Sequence, residues 1–86
     1  MNRRQNPQEF GLPAGTIIEQ IAPHTVALLI DRKSRIIMAD GKKILEKVKK
    51  IKHARPAIVV ALKTSAPVCS KTQKFLEAEG IPLILT

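Results

Sequence analysis

The chain has no tryptophan and no tyrosine, and Phe10 and Phe75 are its only aromatic residues. Proteins that read single-stranded nucleic acid stack bases on such rings. Two phenylalanines leave little platform for that mode, and Phe75 falls on an apolar helical stripe that points it toward a core. Cysteine is nearly absent as well: Cys69 stands alone, which excludes an internal disulfide, a Cys-x-x-Cys redox pair and a thiolate-rich zinc site. His24 and His53 lie far apart, with no cysteine or carboxylate at ligand spacing, so no metal site is expected. The chain lacks the Gly-rich GxxxxGK[ST] cradle of a nucleotide site and the GxSxG elbow of a serine hydrolase. No cofactor is expected.

Long apolar runs are missing too. All fall well short of the ~18 residues a membrane helix needs, so no membrane partner is expected. The segment MNRRQNPQEFGLPAG carries arginines without an apolar run behind them, so it does not read as a secretory signal. With a single cysteine, the expected compartment is a reducing cytoplasm.

What is present is positive charge. Fifteen Lys and Arg residues against seven Asp and Glu give a net charge of +8 in 86 residues, an excess that favours an anionic partner. The excess is local. Residues 32–55 hold ten basic side chains against Asp40 and Glu46, whereas residues 66–86 balance two lysines with two glutamates.

Eighty-six residues form one small domain. Residues 1–15 are polar, contain Pro7, Gly11, Pro13 and Gly15 and have no period, and are expected as a flexible arm; residues 16–86 form the domain. TIIEQI, HTVALLID and SRIIMAD are short, β-branched and separated by turn residues, which predicts a three-stranded antiparallel meander. DGKKILEKVKKIKH follows, with Ile44, Leu45, Val48 and Ile51 on one helical stripe and Asp40 as the expected N-cap. After Pro56, AIVVAL reads as a strand covered on both faces. SAPVCSKTQKFLEAEG predicts a second helix with Val68, Thr72, Phe75 and Leu76 inward and Gly80 just past its end, and IPLILT a last strand. The fold class is α/β: a small mixed sheet in which an antiparallel meander precedes α-β-α-β with parallel last strands.

Three sites are candidates. The first is the helix face opposite the apolar stripe. Lys42, Lys43, Lys49 and Lys50 lie there, continued by Arg32, Lys33 and Arg35 in the preceding turn, and a row of such charges tracks phosphates; the competing reading is a solvated lysine face. The expected partner is nucleic-acid backbone or another polyanion, bound without catalysis. The second is the turn after AIVVAL, at the carboxyl end of a parallel strand, where Lys63, Thr64, Ser65 and Ser70 offer a cation and hydroxyls to an anion; the alternative is ordinary helix capping by Ser65 or Ser70. The third is Cys69, a candidate reactive thiol because a helix start lowers a thiol pKa. On the wheel it lies on the inner side near Leu76, so the expectation is a packed residue in which burial outweighs the dipole. A thiol or anion-handling module, or a structural module that dimerises through an edge strand, are the alternatives to polyanion binding.

The order β-β-β-α-β, followed by AIVVALKTSAPVCSKTQKFLEAEGIPLIL, resembles the core of the restriction-endonuclease superfamily, and residues 56–86 resemble the end of its Mrr-type members. That resemblance implies an acidic residue on the second strand and an acidic-x-Lys on the third, together holding a divalent metal. Asp31 and Asp40-Gly41-Lys42 are the residues this pattern would use. With DRKS as a hairpin turn, Asp31 and Asp40 would stand on the order of 20 Å apart at ~3.3 Å per strand residue, too far to share one metal. The resemblance is therefore expected at the level of fold and not of catalysis.

Overall fold

The computed structural model of the chain describes residues 4–86. Five strands and two helices follow one another as β1 (Arg4–Gln5), β2 (Ile17–Ala22), β3 (Thr25–Ile30), α1 (Met38–Ala54), β4 (Val59–Thr64), α2 (Ser70–Ala78) and β5 (Leu83–Leu85), with a 3-10 turn at Pro7–Phe10. The sheet order is β1-β2-β3-β4-β5, antiparallel through β3 and parallel from β3 to β5. This is the mixed α/β sheet the sequence predicts, with its parallel last strands.

The members of the antiparallel part differ. SRIIMAD is not a strand: Ile36 makes a single parallel bridge to Val68, and helix α1 begins at Met38. DRKS is accordingly not a hairpin turn but part of the loop from β3 into α1. Arg32 organises that loop. Its Nε donates to the Ser34 carbonyl (3.2 Å) and its Nη2 to the Arg35 carbonyl (2.9 Å) and to Asp40 Oδ2 (2.6 Å). Ile36 is drawn down into the core, where its full burial contributes on the order of 2–3 kcal/mol.

The meander is completed from the other end. Arg4 and Gln5 pair with Glu19 and Ile18, and Phe10 and Leu12 are buried in the main hydrophobic cluster. The expected flexible arm is thus a packed part of the domain from Arg4 onward, because two apolar side chains anchor an otherwise aperiodic segment; residues 1–3 of it lie outside the described residues.

Both helices lie on one face of the sheet. Gly41 of α1 sits against α2 so closely that a Cβ there would stand 2.9 Å from Thr72 Cγ2. The stripe Ile44, Val48 and Ile51 of α1 and Leu76 of α2 close over Ile18, Val26, Leu28, Val60 and Leu62. A sequential strand order with crossovers of one hand places successive helices on the same side. Strand β4 is therefore covered on one face only, contrary to the expectation for AIVVAL. Its small Ala61 is nonetheless buried, while Val59 on the same open face is 42% exposed.

Helix α2 starts at Ser70, later than SAPV suggests, and stops as its sequence predicts. Gly80 takes φ +75°, Gly80 N–H donates to the Glu77 carbonyl and Ile81 N–H to that of Leu76, and Leu76 and Ile81 are both buried. These paired bonds with an apolar contact form a Schellman ending.

Candidate anion-binding surface and pocket

Helix α1 sets out its side chains around the buried stripe at 100° per residue. Lys42 and Lys49 then project away from the sheet with Glu46 and His53, whereas Lys43, Lys47 and Lys50 line the flank over β2. The opposite flank, at Gly41, meets α2. Lys42, Lys43, Lys49 and Lys50 are exposed, as are Lys33 and Arg35 in the loop before the helix. Among the described residues no carboxylate stands within ion-pair distance of any of these six; the ion pairs are Arg32–Asp40 and Lys63–Glu19. Arg32 is the exception in the expected set, since it is committed to its own loop and to Asp40.

Asp40 is not the N-cap. It occupies the third helical position and reaches back to accept the Ile37 N–H at 3.0 Å. Ile37 has no side-chain acceptor, so only one half of a capping box forms. The Arg32 guanidinium, followed by the Ile37 N–H, holds the Asp40 carboxyl below its ordinary pKa.

Asp31 and Asp40 do not stand at opposite ends of a hairpin, because the strand that would have separated them is absent. Asp31 directly follows β3, and Asp40 lies in the first turn of α1. Their oxygens are engaged separately, Asp31 Oδ1 by the Ser65 hydroxyl and Asp40 Oδ2 by Arg32 and Ile37. Asp40-Gly41-Lys42 is helical, and no cluster of three His, Cys, Asp or Glu side chains occurs among the described residues. The acidic-x-Lys arrangement implied by the endonuclease resemblance does not fit a shared metal here.

At the carboxyl ends of the parallel strands lies a cleft of about 200 Å³ lined by Asp31, Lys63, Thr64, Ser65 and Thr86 among others. Its donors are already committed. Thr64 Oγ1 donates to the Ile30 carbonyl (2.6 Å) and accepts from Ala66 N–H (3.0 Å), Ser65 donates to Asp31, and Lys63 Nζ reaches Glu19 (3.3 Å). With a carboxylate in the wall, the geometry disfavours an anion. Ser70 stands apart, exposed in the first turn of α2.

A larger pocket, about 360 Å³, opens between the start of β2, the end of β3 and the first turns of α1. Arg32, Asp40, Lys43 and Lys47 supply its charged wall and Leu28, Ile30 and Ile44 its apolar one. Thr16 also lines it, and its Oγ1 is buried without a hydrogen-bond partner among the described residues. The Lys43–Lys47 spacing was visible in the sequence as two cations one turn apart on one flank. Nothing local marked Thr16, which reaches the pocket only through the pairing of β2 with β3.

Cys69 departs from expectation. It occupies the N-cap of α2, half-buried and outside the core cluster. Its thiol pKa is lowered by the backbone N–H groups of Lys71 and then Thr72. The wheel placed it inward by continuing the helix through residues 65–69, which instead form a loop.

The sheet face away from the helices carries Ile17, Ile21 and Val59, each about two-fifths exposed, around the Lys63–Glu19 pair. Its edges are short, two residues in β1 and three in β5. No helix among the described residues is long and apolar enough to cross a membrane. No protein-family model, curated protein or solved structure matches the chain.

Proposed function

We propose that this domain binds a polyanion, the sugar-phosphate backbone of duplex DNA or structured RNA, through α1 and the loop before it. The carrying observation is the set of exposed, unpaired Lys42, Lys43, Lys49 and Lys50. Lys42 to Lys49 and Lys43 to Lys50 each span about 10 Å along the helix, so the four ammonium groups form two rows. Exposed Lys33 and Arg35 extend the surface past the helix start. Contact is to backbone rather than base, since no aromatic side chain joins these cations.

Fluorescence anisotropy with labelled duplex DNA and with a structured RNA, across a salt series, tests the proposal. For duplex DNA the slope of log affinity against log salt is expected at about −0.9 per neutralised phosphate. Changing Lys42, Lys43, Lys49 and Lys50 together to Gln should reduce its magnitude by about 3 to 4. Absence of binding to both ligands at low salt, or an unchanged slope in the fourfold variant, refutes it.

A second reading, a reactive thiol at Cys69, is favoured by one observation: the residue is only half-buried at a helix start, with two backbone N–H groups stabilising its thiolate. Its test is the pH dependence of alkylation given in the Discussion.

A further inference from the structure

We infer that the pocket between β2, β3 and α1 is a binding site for a phosphate monoester, holding the phosphoryl head against Lys43, Lys47 and Arg32. Charge selects the head. Three cations face one carboxylate, Asp40, leaving two positive charges in the wall, and a monoester carries about −1.5 to −2 near neutral pH.

The donors are arranged for it. Arg32 spends Nε and Nη2 on Ser34, Arg35 and Asp40, which fixes the guanidinium plane and leaves the two N–H groups of Nη1 without a partner among the described residues; a planar fork so held is suited to phosphate oxygens. Lys43 and Lys47 stand one helical turn apart, about 6 Å along the axis, so that their ammonium groups can close on one head group from the helix side. Thr16 borders the same space with an unpaired buried hydroxyl, the kind of group that normally has a partner in a folded protein.

Size and lining select the body. About 360 Å³ is at the low end for small-molecule sites, and Leu28, Ile30 and Ile44 offer an apolar surface without an aromatic ring. A compact body fits, with no stacking partner for a base. The position lies outside the carboxyl end of β3, which runs parallel to β4, and the carboxyl ends of parallel strands are where open α/β sheets place ligands.

The inference stands apart from polyanion binding, although both use Lys43. Titration of ¹⁵N-labelled protein with phenyl phosphate, followed by amide chemical shifts, is the test, with phenol as the uncharged control. Saturable shifts are expected at Gly15, Thr16, Leu29, Ile30 and the first turns of α1, with none from phenol. Changing Lys43 and Lys47 to Gln should weaken phenyl phosphate at least about tenfold, whereas changing Lys71 and Lys74 on α2 to Gln removes the same charge and should leave affinity in place. Non-saturating shifts spread over every lysine-bearing segment, or equal weakening in the two double variants, overturn the inference. The source of the monoester is separated by a second arm: tighter binding of a 5′-phosphorylated duplex than of its 5′-hydroxyl counterpart, lost in the Lys43/Lys47 variant, assigns the pocket to strand ends. Phenyl phosphate binding without an end preference assigns it to a free small molecule. Loss of duplex binding with phenyl phosphate retained removes polyanion binding alone.

Discussion

Replacing Gly41 by Ala tests the contact that sets the spacing of the two helices. An added Cβ would lie 2.9 Å from Thr72 Cγ2 and 3.5 Å from Phe75 Cδ2. Carbon atoms are comfortable at about 3.5–4.0 Å, so the first contact is short by roughly half an ångström or more and the second is ordinary. Relief is difficult because Thr72 is fully buried and a β-branched side chain in a helix has few rotamers. Overpacking of this kind costs typically about 1–3 kcal/mol. Against it stands helix propensity, which favours Ala over Gly by about 1 kcal/mol. A stiff neighbour puts the steric cost in the upper part of that range, about 2–3 kcal/mol, so the net loss is about 1–2 kcal/mol. In a domain of this size that lowers the melting temperature by about 4–8 °C per kcal/mol.

The control is Thr72→Ser, which removes Cγ2 and keeps the hydroxyl. Alone it should cost about 1 kcal/mol for the lost methyl group. In that background Gly41→Ala should turn stabilising by up to about 1 kcal/mol, giving a coupling of about 2–3 kcal/mol. Urea unfolding followed by far-UV circular dichroism is the assay, since the chain has no Trp or Tyr for fluorescence. Gly41→Ala as stable as the parent, or equally damaging in both backgrounds, refutes the argument.

Asp40→Asn should lower stability by up to about 1 kcal/mol, as loss of a carboxylate in the first turn of a helix does. Because the folded pKa is depressed, that advantage is present above the ordinary carboxylate pKa and disappears as pH falls through the folded value; denaturation curves of the two proteins that stay equally separated to the lowest pH contradict it. Cys69 should alkylate with a rate inflection below that of a free thiol, because Lys71 and Thr72 N–H groups favour the thiolate; an inflection at or above the free-thiol value rules this out. Lys63→Gln removes one positive charge from the open sheet face, where Lys63 is paired with Glu19, so the salt slope for duplex DNA should stay as in the parent while Lys42→Gln lowers its magnitude by about 0.9. Equal changes would mean that net charge, not the helix face, governs binding.

Local pattern carried the helices well and the connections poorly. The stripe Ile44, Val48 and Ile51 is buried because a 3.6-residue period leaves an amphipathic segment one way to face a core, and Gly80 ends α2 because only a left-handed residue completes that ending. Residues 34–40 misled because the β-branched pair Ile36–Ile37 has strand propensity, while the determinant was Arg32 reaching eight residues ahead to Asp40. Such a tether has no periodic signature. Phe10 and Leu12 were lost among Pro and Gly for a similar reason: two apolar anchors suffice to pack a segment but do not make a period. The cations of α1 were legible from the wheel, whereas the pocket beside them was not, since its walls join residues 15–17, 28–30 and 40–47.

The same geometry explains why the charge gathers on one side. A sheet whose strands follow in sequence and whose crossovers share one hand must keep both helices on one face, so the lysines of α1 add to a single field rather than cancelling around the molecule. The open face is balanced by Glu19 against Lys63 and is otherwise apolar at Ile17, Ile21 and Val59. Helix α1 therefore does three things with one sequence: its stripe closes the core, its outer rows hold the exposed ammonium groups, and its flank over β2 walls the pocket with Lys43 and Lys47. Gly41 links these roles. By letting α1 settle against α2, it fixes how far the opposite flank stands from β2, and a larger residue there would push Lys43 and Lys47 toward the pocket they line. Spacing between two helices on one side of α1 is thus coupled, through a rigid helix, to the width of a binding site on the other.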